Sequence, residues 1–193
     1  MTAVDEHLEI ERRFLVDARG EKPWRSHAIS HSIEQHYAPR QAFTVRDGVL
    51  HGFDRPLTTV TETESAIWEA EAKWVVRLRR KNDRCIVTCK ARKTNDTAAE
   101  LEWTVAETDM EAMLAHGPFP SIVKTRYEWT APDNTVWEVD EFEGALAGVV
   151  LAEVELTSSE QTFDIPAWAG QEVTGLASWS NHALSSTLGG PKP

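Results

Sequence analysis

The stretch Leu8–Val16, with the sequence LEIERRFLV, alternates apolar and charged residues. Glu9, Glu11 and Arg13 stand at every second position, and side chains two residues apart point to the same face of a β-strand. The residues between them are largely apolar. The stretch therefore predicts a β-strand with one charged face and one apolar face.

The same spacing recurs along most of the chain, and each cluster carries mostly one sign of charge. The further pairs are Arg77 and Arg79, Lys90 and Arg92, Glu100 and Glu102, Lys124 and Arg126, Glu138 and Asp140, and Glu153 and Glu155. An antiparallel sheet commonly shows water a polar face, so any single pair could be a solvated surface. Like charges at this distance repel each other unless a ligand or an opposing cluster compensates them. The repetition therefore favours a charged interior that holds a polyanion together with a divalent metal.

Eight strands are predicted, with turn residues at 81–83 and 132–134 that are typical of hairpins. The strands are placed at about 8–16, 32–38, 74–81, 84–92, 99–106, 123–130, 135–142 and 149–157. We therefore expect a mainly β (α+β) fold, a closed eight-stranded antiparallel barrel with the charges inside and a few flanking helices. One helix is predicted at 107–116, with Thr108 as N-cap, Glu111 at the capping-box position and Gly117 as its end. A second helix is predicted near 175–188.

Length and composition are those of an ordinary globular domain. The chain has 193 residues, which suits a single domain over 1–193, and its net charge of −11 disfavours nucleic-acid binding. Cys85 and Cys89 are expected to be buried free thiols. An acidic N-terminus unlike a signal peptide, and the lack of a long apolar stretch, predict a cytoplasmic protein with no membrane association. Residues 39–72 do not fit the barrel and are predicted to be an insertion, either a lid or, preferably, a disordered surface loop.

Seven motifs resemble, in the same order, those of the CYTH, or triphosphate tunnel metalloenzyme, superfamily. They cover most of residues 8–182. The motifs are the ExExK-like segment 9–13, the arginine strand 76–79, the lysine strand 88–90, the ExE strand 100–102, the KTRY motif 124–127, and the acidic strands 138–144 and 151–156. The family's usual lysine is Arg13 in this chain. Because arginine keeps its proton near neutrality, this side chain can bind phosphate or pair with a carboxylate but cannot act as a base.

The resemblance implies a tunnel that binds a triphosphate and requires Mg²⁺ or Mn²⁺. It suggests a metal-dependent triphosphatase that acts on a small-molecule triphosphate, with inorganic tripolyphosphate favoured. A class IV-type adenylate cyclase and a thiamine triphosphatase are alternatives, and a non-catalytic polyphosphate- or nucleotide-binding module is a further one. A homodimer is compatible with these observations.

Each charged cluster then has an expected role. Arginine binds phosphate oxygens bidentately and lysine acts as a point charge, whereas Mg²⁺ prefers carboxylate oxygens, phosphates and water. The expected triphosphate-binding residues are Arg13, Arg77, Arg79, Lys90, Arg92, Lys124 and Arg126. The expected metal ligands are Glu9, Glu11, Glu153 and Glu155. The residues expected to orient the attacking water or a second metal are Glu100, Glu102 and Asp140.

Overall fold

The computed structural model describes residues 7–188, in which short hairpins and one long excursion connect the strands. The elements are β1 (Leu8–Val16), β2 (Ile29–Ala38), β3 (Phe43–Arg46), β4 (Val49–Gly52), β5 (Arg55–Thr59), α1 (Glu62–Ala70), β6 (Val75–Lys81), β7 (Arg84–Arg92), β8 (Thr97–Val105), α2 (Glu107–Leu114), β9 (Ser121–Thr130), β10 (Val136–Phe142), β11 (Val150–Leu156), β12 (Ala169–Glu172) and α3 (Asn181–Leu188).

Eight of these strands close into an antiparallel barrel, as the sequence predicts. The order around the barrel is β1, β11, β10, β9, β2, β6, β7 and β8, and β8 pairs again with β1. The register places Glu11 opposite Glu155 and Arg13 opposite Glu153. The charged positions of neighbouring strands therefore face the same interior.

The apolar faces of the strands point outward and are covered on two sides. The outer face of β6, β7 and β8 packs against α1, α2 and the small sheet β3–β4–β5. The outer face of β1, β10 and β11 packs against the chain that follows β11, which contributes Phe163 and Trp168. Cys85 and Cys89 are both free and buried, as expected. The barrel thus keeps its apolar core outside the strands and its charges inside.

The expectation that residues 39–72 form a disordered loop is wrong. This segment folds into β3, β4, β5 and α1, and it buries Phe43, Leu50 and Trp68 in the core outside the barrel. Thr61 and Glu64 form a capping box at the start of α1. The insertion is therefore a structural cover for the barrel, and a role as a lid stays a prediction.

The two predicted helices differ from the structure in part. Helix α2 begins at residue 107 as predicted, but it ends at Leu114 rather than at 116, and neither Thr108 nor any other side chain caps its start. The C-terminal helix begins at residue 181 rather than 175, because Gly175 has a φ of +78°, which interrupts any helix there. The segment between β12 and α3 forms instead a strap across one end of the barrel.

One end of the barrel is closed by apolar side chains. Ile122, Phe142 and Leu151 lie on the inward-facing positions of their strands and pack against Leu184 of α3. The charged interior therefore begins beyond this apolar plug.

In the described part of the chain, no helix is long and apolar enough to cross a membrane.

The insertion should contribute to the stability of the whole domain. Phe43 is fully buried, and replacing a buried Phe by Ala typically costs at least about 3 kcal/mol. We therefore expect Phe43→Ala to lower the free energy of unfolding by about that amount in urea titrations. The neighbouring Thr44 is exposed, so Thr44→Ala serves as the control. Equal stability of both variants would mean that the insertion is not part of the core.

Candidate active site

A charged cavity of about 470 Å³ occupies the interior of the barrel. It is lined by inward-facing residues of the strands and, at one end, by the strap and α3. Among the residues predicted as functional, the lining includes Glu9, Glu11, Arg13, Arg77, Arg79, Lys90, Arg92, Glu100, Glu102, Arg126, Glu153 and Glu155. The structure thus brings together all of the predicted site residues except Lys124 and Asp140.

The inner wall divides into two halves of opposite charge. Four consecutive strands, β8, β1, β11 and β10, supply the lining carboxylates Glu100, Glu102, Glu9, Glu11, Glu153, Glu155 and Glu138. Three of the other four strands, β9, β6 and β7, supply the lining cations Arg126, Arg77, Arg79, Lys81, Lys90 and Arg92, and β2, which lies between β9 and β6, supplies none. Arg13 on β1 departs from this division. The cavity is therefore electrically polarised from one side to the other.

The carboxylate half holds more negative charge than its neighbours neutralise. Burial, together with the charge of Glu100, raises the pKa of Glu9, and burial together with Glu153 raises that of Glu11. Burial and the charge of Glu9 raise the pKa of Glu155 to about 7. A cation placed here would stabilise all three ionised groups.

Lys90 stands between three of these carboxylates. Its ammonium nitrogen lies 3.0 Å from Glu11 Oε2 and 3.7 Å from Glu100 Oε2, and it also forms an ion pair with Glu9. Within residues 7–188 no three His, Cys, Asp or Glu side chains are grouped so as to hold a metal as they stand. The ammonium group thus occupies the space where the oxygen atoms of these carboxylates converge.

Arg13 links two acidic strands. Its Nε lies 2.6 Å from Glu153 Oε1, and its Nη2 lies 2.8 Å from Glu11 Oε1. Although burial opposes the effect, Arg13 and Arg126 hold the pKa of Glu153 well below its usual range. Glu153 is therefore a fully ionised anchor, and the arginine in place of the family's lysine is paired with carboxylates as its chemistry requires.

The cation half is short of negative charge. Arg77 and Arg79 share the carboxylate of Glu102, and Arg77 approaches Glu100 only to 3.9 Å. The Nε atoms of both arginines are buried without a hydrogen-bond partner in the described chain. Burial and the charge of Arg77 lower the pKa of Arg79 to about 10. A bound anion would relieve both the repulsion and the unpaired donors.

Lys124 and Asp140 form a buried pair below the cavity rather than part of its lining. Lys124 Nζ lies 2.5 Å from Asp140 Oδ2, and each side chain is 1% exposed. Arg126 donates to both oxygens of Asp140 at 2.7 Å and thereby connects this pair with the cavity. Neither residue lines the cavity in the structure, where Asp140 joins Lys124 to Arg126. The predicted contact of Lys124 with phosphate and that of Asp140 with water or metal stay predictions. The inward-facing positions were predicted correctly, but the two residues lie too deep.

Several lining residues were not predicted because they are uncharged or lie outside the repeated strands. Tyr37 on β2 and His182 on α3 enter the cavity, and their rings are 4.9 Å apart. Gln35 lies behind Tyr37 and is fully buried. The alternation of charged and apolar residues could not reveal Gln35 or Tyr37, since neither carries a charge.

The predicted residue Arg92 reaches only the edge of the cavity. Its guanidinium donates hydrogen bonds to backbone carbonyls of the turn at 94–95.

Comparison with known proteins places the chain in a family. No protein-family model matches the sequence. The chain is 36% identical over 110 residues to an inorganic triphosphatase of Acetivibrio thermocellus, covering 56% of this chain and 70% of that protein. It is 31% identical over 150 residues to an inorganic triphosphatase of Nitrosomonas europaea, covering 75% of this chain and 92% of that protein.

A solved structure agrees with these relatives. The crystal structure of an inorganic triphosphatase superposes with a TM-score of 0.56 at 25% sequence identity, covering 92% of this chain and 93% of the other. The chain therefore belongs, with these inorganic triphosphatases, to the triphosphate tunnel metalloenzyme or CYTH superfamily.

Proposed function

We propose that this protein hydrolyses an inorganic triphosphate, with tripolyphosphate as the leading substrate, in a reaction that depends on a divalent metal. The observation that carries the proposal is the division of the cavity wall into a carboxylate half and a cation half. An anion-binding module has no use for four strands of carboxylates, whereas a metal–triphosphate complex matches both halves. The names of the two relatives favour inorganic triphosphate over the cyclase and thiamine triphosphate alternatives.

The cation half would bind the phosphate chain. Arg77, Arg79 and Arg126 present guanidinium groups that can bind phosphate oxygens bidentately. The first two share one close carboxylate, that of Glu102, so a polyanion supplies the charge that this side lacks. Arg92 at the edge of the cavity would add a contact at one end of the chain.

The carboxylate half fits a divalent metal, on which members of this family generally depend. Glu9, Glu11 and Glu155 offer hard oxygen ligands, and their raised pKa values indicate a local lack of positive charge. When bound, Mg²⁺ or Mn²⁺ neutralises phosphate oxygens and activates the attacking water. Glu153 would complete the set, with Arg13 orienting its Oε1 and Arg126 its Oε2.

Lys90 would change partners when the site fills. In the structure its ammonium group forms ion pairs with Glu9, Glu11 and Glu100. The Lys90 ammonium would be repelled by a divalent ion held among these carboxylates and attracted by a triphosphate bound to the adjacent cation half. Lys90 can therefore serve as a carboxylate partner in the empty cavity and as a phosphate ligand in the complex.

The residues of the cavity can then promote hydrolysis without a covalent intermediate. A bond forms between a water oxygen and the terminal phosphorus, the bond from that phosphorus to its bridging oxygen breaks, and pyrophosphate leaves. Glu100 and Glu102 would orient the water and pass its proton to solvent. The arginines stabilise the charge on the phosphate oxygens as the leaving group departs.

Phosphate release provides the test of this function. We expect one phosphate and one pyrophosphate per tripolyphosphate, and complete dependence on Mg²⁺ or Mn²⁺. Rates with ATP or thiamine triphosphate should be at least roughly 10-fold lower, because the charged wall does not recognise their adenosine or thiamine groups. Ion chromatography with and without EDTA measures all of these quantities. Hydrolysis that persists in EDTA would contradict the metal dependence.

A binding assay distinguishes an enzyme from a silent binding module. With Ca²⁺ in place of Mg²⁺ to slow turnover, and EDTA as the parallel control, tripolyphosphate at a hundred times its Kd should stabilise the fold by about 2.7 kcal/mol. Stabilisation without turnover under any of the metals would favour the binding module. The absence of both stabilisation and turnover would reject the site altogether.

A cytoplasmic location stays a prediction, and light scattering would measure whether the protein forms a homodimer.

A further inference from the structure

Strand β2 supplies uncharged side chains to the cation half of the cavity wall. Gln35 is fully buried and Tyr37 is 7% exposed, and both occupy inward-facing positions of the strand. Gln35 Nε2 donates a hydrogen bond of 2.7 Å to the hydroxyl oxygen of Tyr37. A buried amide and a buried phenol are thus joined directly beside the proposed phosphate site.

The direction of this hydrogen bond determines what the phenol can do. Because the amide N–H is the donor, the Tyr37 oxygen is the acceptor, and its own proton must point elsewhere. Within residues 7–188 the Tyr37 hydroxyl accepts this hydrogen bond and donates none. Gln35 Oε1, on the other side of the amide, and Arg79 Nε are both buried without a hydrogen-bond partner within residues 7–188. Gln35 and Arg79 lie directly opposite each other in the β2–β6 register. A donor facing the amide oxygen favours this orientation of the amide over the reversed one.

The surroundings keep Tyr37 protonated and fixed. Burial raises the pKa of Tyr37 to about 12, against the opposing influence of Arg77. Arg77 lies directly opposite Tyr37 on β6, and the ring of His182 packs at 4.9 Å from the phenol ring. The hydroxyl proton therefore faces the cation half of the cavity, where a bound anionic ligand would supply its acceptor.

We propose that Gln35 is a positioning residue that turns the Tyr37 hydroxyl proton toward the cavity, so that Tyr37 donates a hydrogen bond to a phosphate oxygen of the triphosphate. The inference rests on the proposed function, because it requires a bound phosphate chain. Gln35 never touches the substrate and acts through the phenol. Strand β2, which carries no charged residue into the cavity, thereby orients a hydrogen bond to the ligand and does not attract the ligand by charge.

A double-mutant cycle tests this coupling. Gln35→Glu keeps the shape of the side chain but accepts the phenol proton, and Gln35→Met removes the donor. Each should lower kcat/KM for tripolyphosphate roughly 10-fold in the parent protein, the loss expected for one misdirected hydrogen bond. In the Tyr37→Phe background, the same changes should alter kcat/KM less than about 2-fold. His36→Gln alters the outward-facing neighbour and should leave the activity unchanged.

A spectroscopic measurement reports the hydroxyl group independently of turnover. The chain has two tyrosines, so Tyr127→Phe protein labelled with carbon-13 at tyrosine Cζ gives one signal, from Tyr37. We expect tripolyphosphate with Ca²⁺ to shift this signal in Tyr127→Phe protein and to shift it far less after Gln35→Glu.

The outcomes separate the two proposals. Equal losses from the Gln35 variants in the parent protein and in the Tyr37→Phe background, or an unchanged Cζ response, would overturn the role of Gln35 while leaving the hydrolase intact. If tripolyphosphate is neither bound nor cleaved by the parent protein, both proposals fall. Should Gln35→Glu not fold, the Gln35→Met cycle and its Cζ response decide the matter by the same criteria.

Discussion

Glu11→Gln is expected to lower metal-dependent triphosphate turnover by about 100-fold or more, because it removes a charge that the metal and the transition state both require. Glu11 faces Glu155 across β1 and β11 and lies 3.0 Å from the Lys90 ammonium. The amide preserves the shape of the side chain but ligates Mg²⁺ far less well than a carboxylate. Turnover as a function of Mg²⁺ and Mn²⁺ concentration gives the loss and any change in metal affinity.

The matched control is a glutamate outside the cavity. Glu34 lies on β2 and its side chain is 44% exposed, so Glu34→Gln should retain normal turnover. Melting curves establish that both variants fold. Full activity of a folded Glu11→Gln protein would exclude the metal site on the carboxylate half, even if tripolyphosphate still binds.

The inward-facing charges were predictable because they depend on local geometry alone. Alternation along Leu8–Val16 determines which side chains share a face, whatever the strand pairs with. The same holds for Arg77 with Arg79 and for Glu153 with Glu155. Strand existence and the charged lining therefore follow from residues two positions apart, and the barrel confirms both.

The division of the wall and the depth of each side chain could not be predicted in this way. Which strands are neighbours depends on contacts between distant parts of the chain, so the adjacency of the four acidic strands is a property of the closed barrel. Depth along the barrel axis depends on the apolar plug around Phe142 and Leu151. The same i, i+2 pattern thus places Arg126 in the cavity and Lys124 below it.

The insertion escaped prediction for a different reason. Its strands are four or five residues long, which is too short for alternation to stand out. The turn between β4 and β5 uses two non-glycine residues with positive φ, Phe53 and Asp54, so no glycine marks it, whereas the Asp47–Gly48 pair between β3 and β4 is typical of a hairpin. The polar residues around α1 suggested disorder, although Trp68 on that helix is buried against the barrel.

Asp140→Asn is expected to destabilise the fold by about 4 kcal/mol, because it leaves two buried cations without their shared carboxylate. Asp140 accepts from Lys124 at 2.5 Å and from Arg126 at 2.7 Å, and it is fully buried. Although burial opposes ionisation, Arg126 and Lys124 hold the pKa of Asp140 below its usual value, so the charged form is the one the fold uses. Urea titration at neutral pH measures the loss, and Asp47→Asn at an exposed turn should change stability by less than about 0.5 kcal/mol.

A second substitution separates a structural carboxylate from a catalytic one. Burial lowers the pKa of Lys124 to about 8, so removing its charge together with that of Asp140 also removes a desolvation cost. The double variant Asp140→Asn with Lys124→Met should therefore recover a large part of the lost stability, since Arg126 keeps Glu138 and Glu153 as partners. If Asp140 only supports Arg126, metal-dependent turnover should return with the stability. Recovered stability without turnover would instead assign Asp140 or Lys124 a direct part in the reaction, despite their position below the cavity.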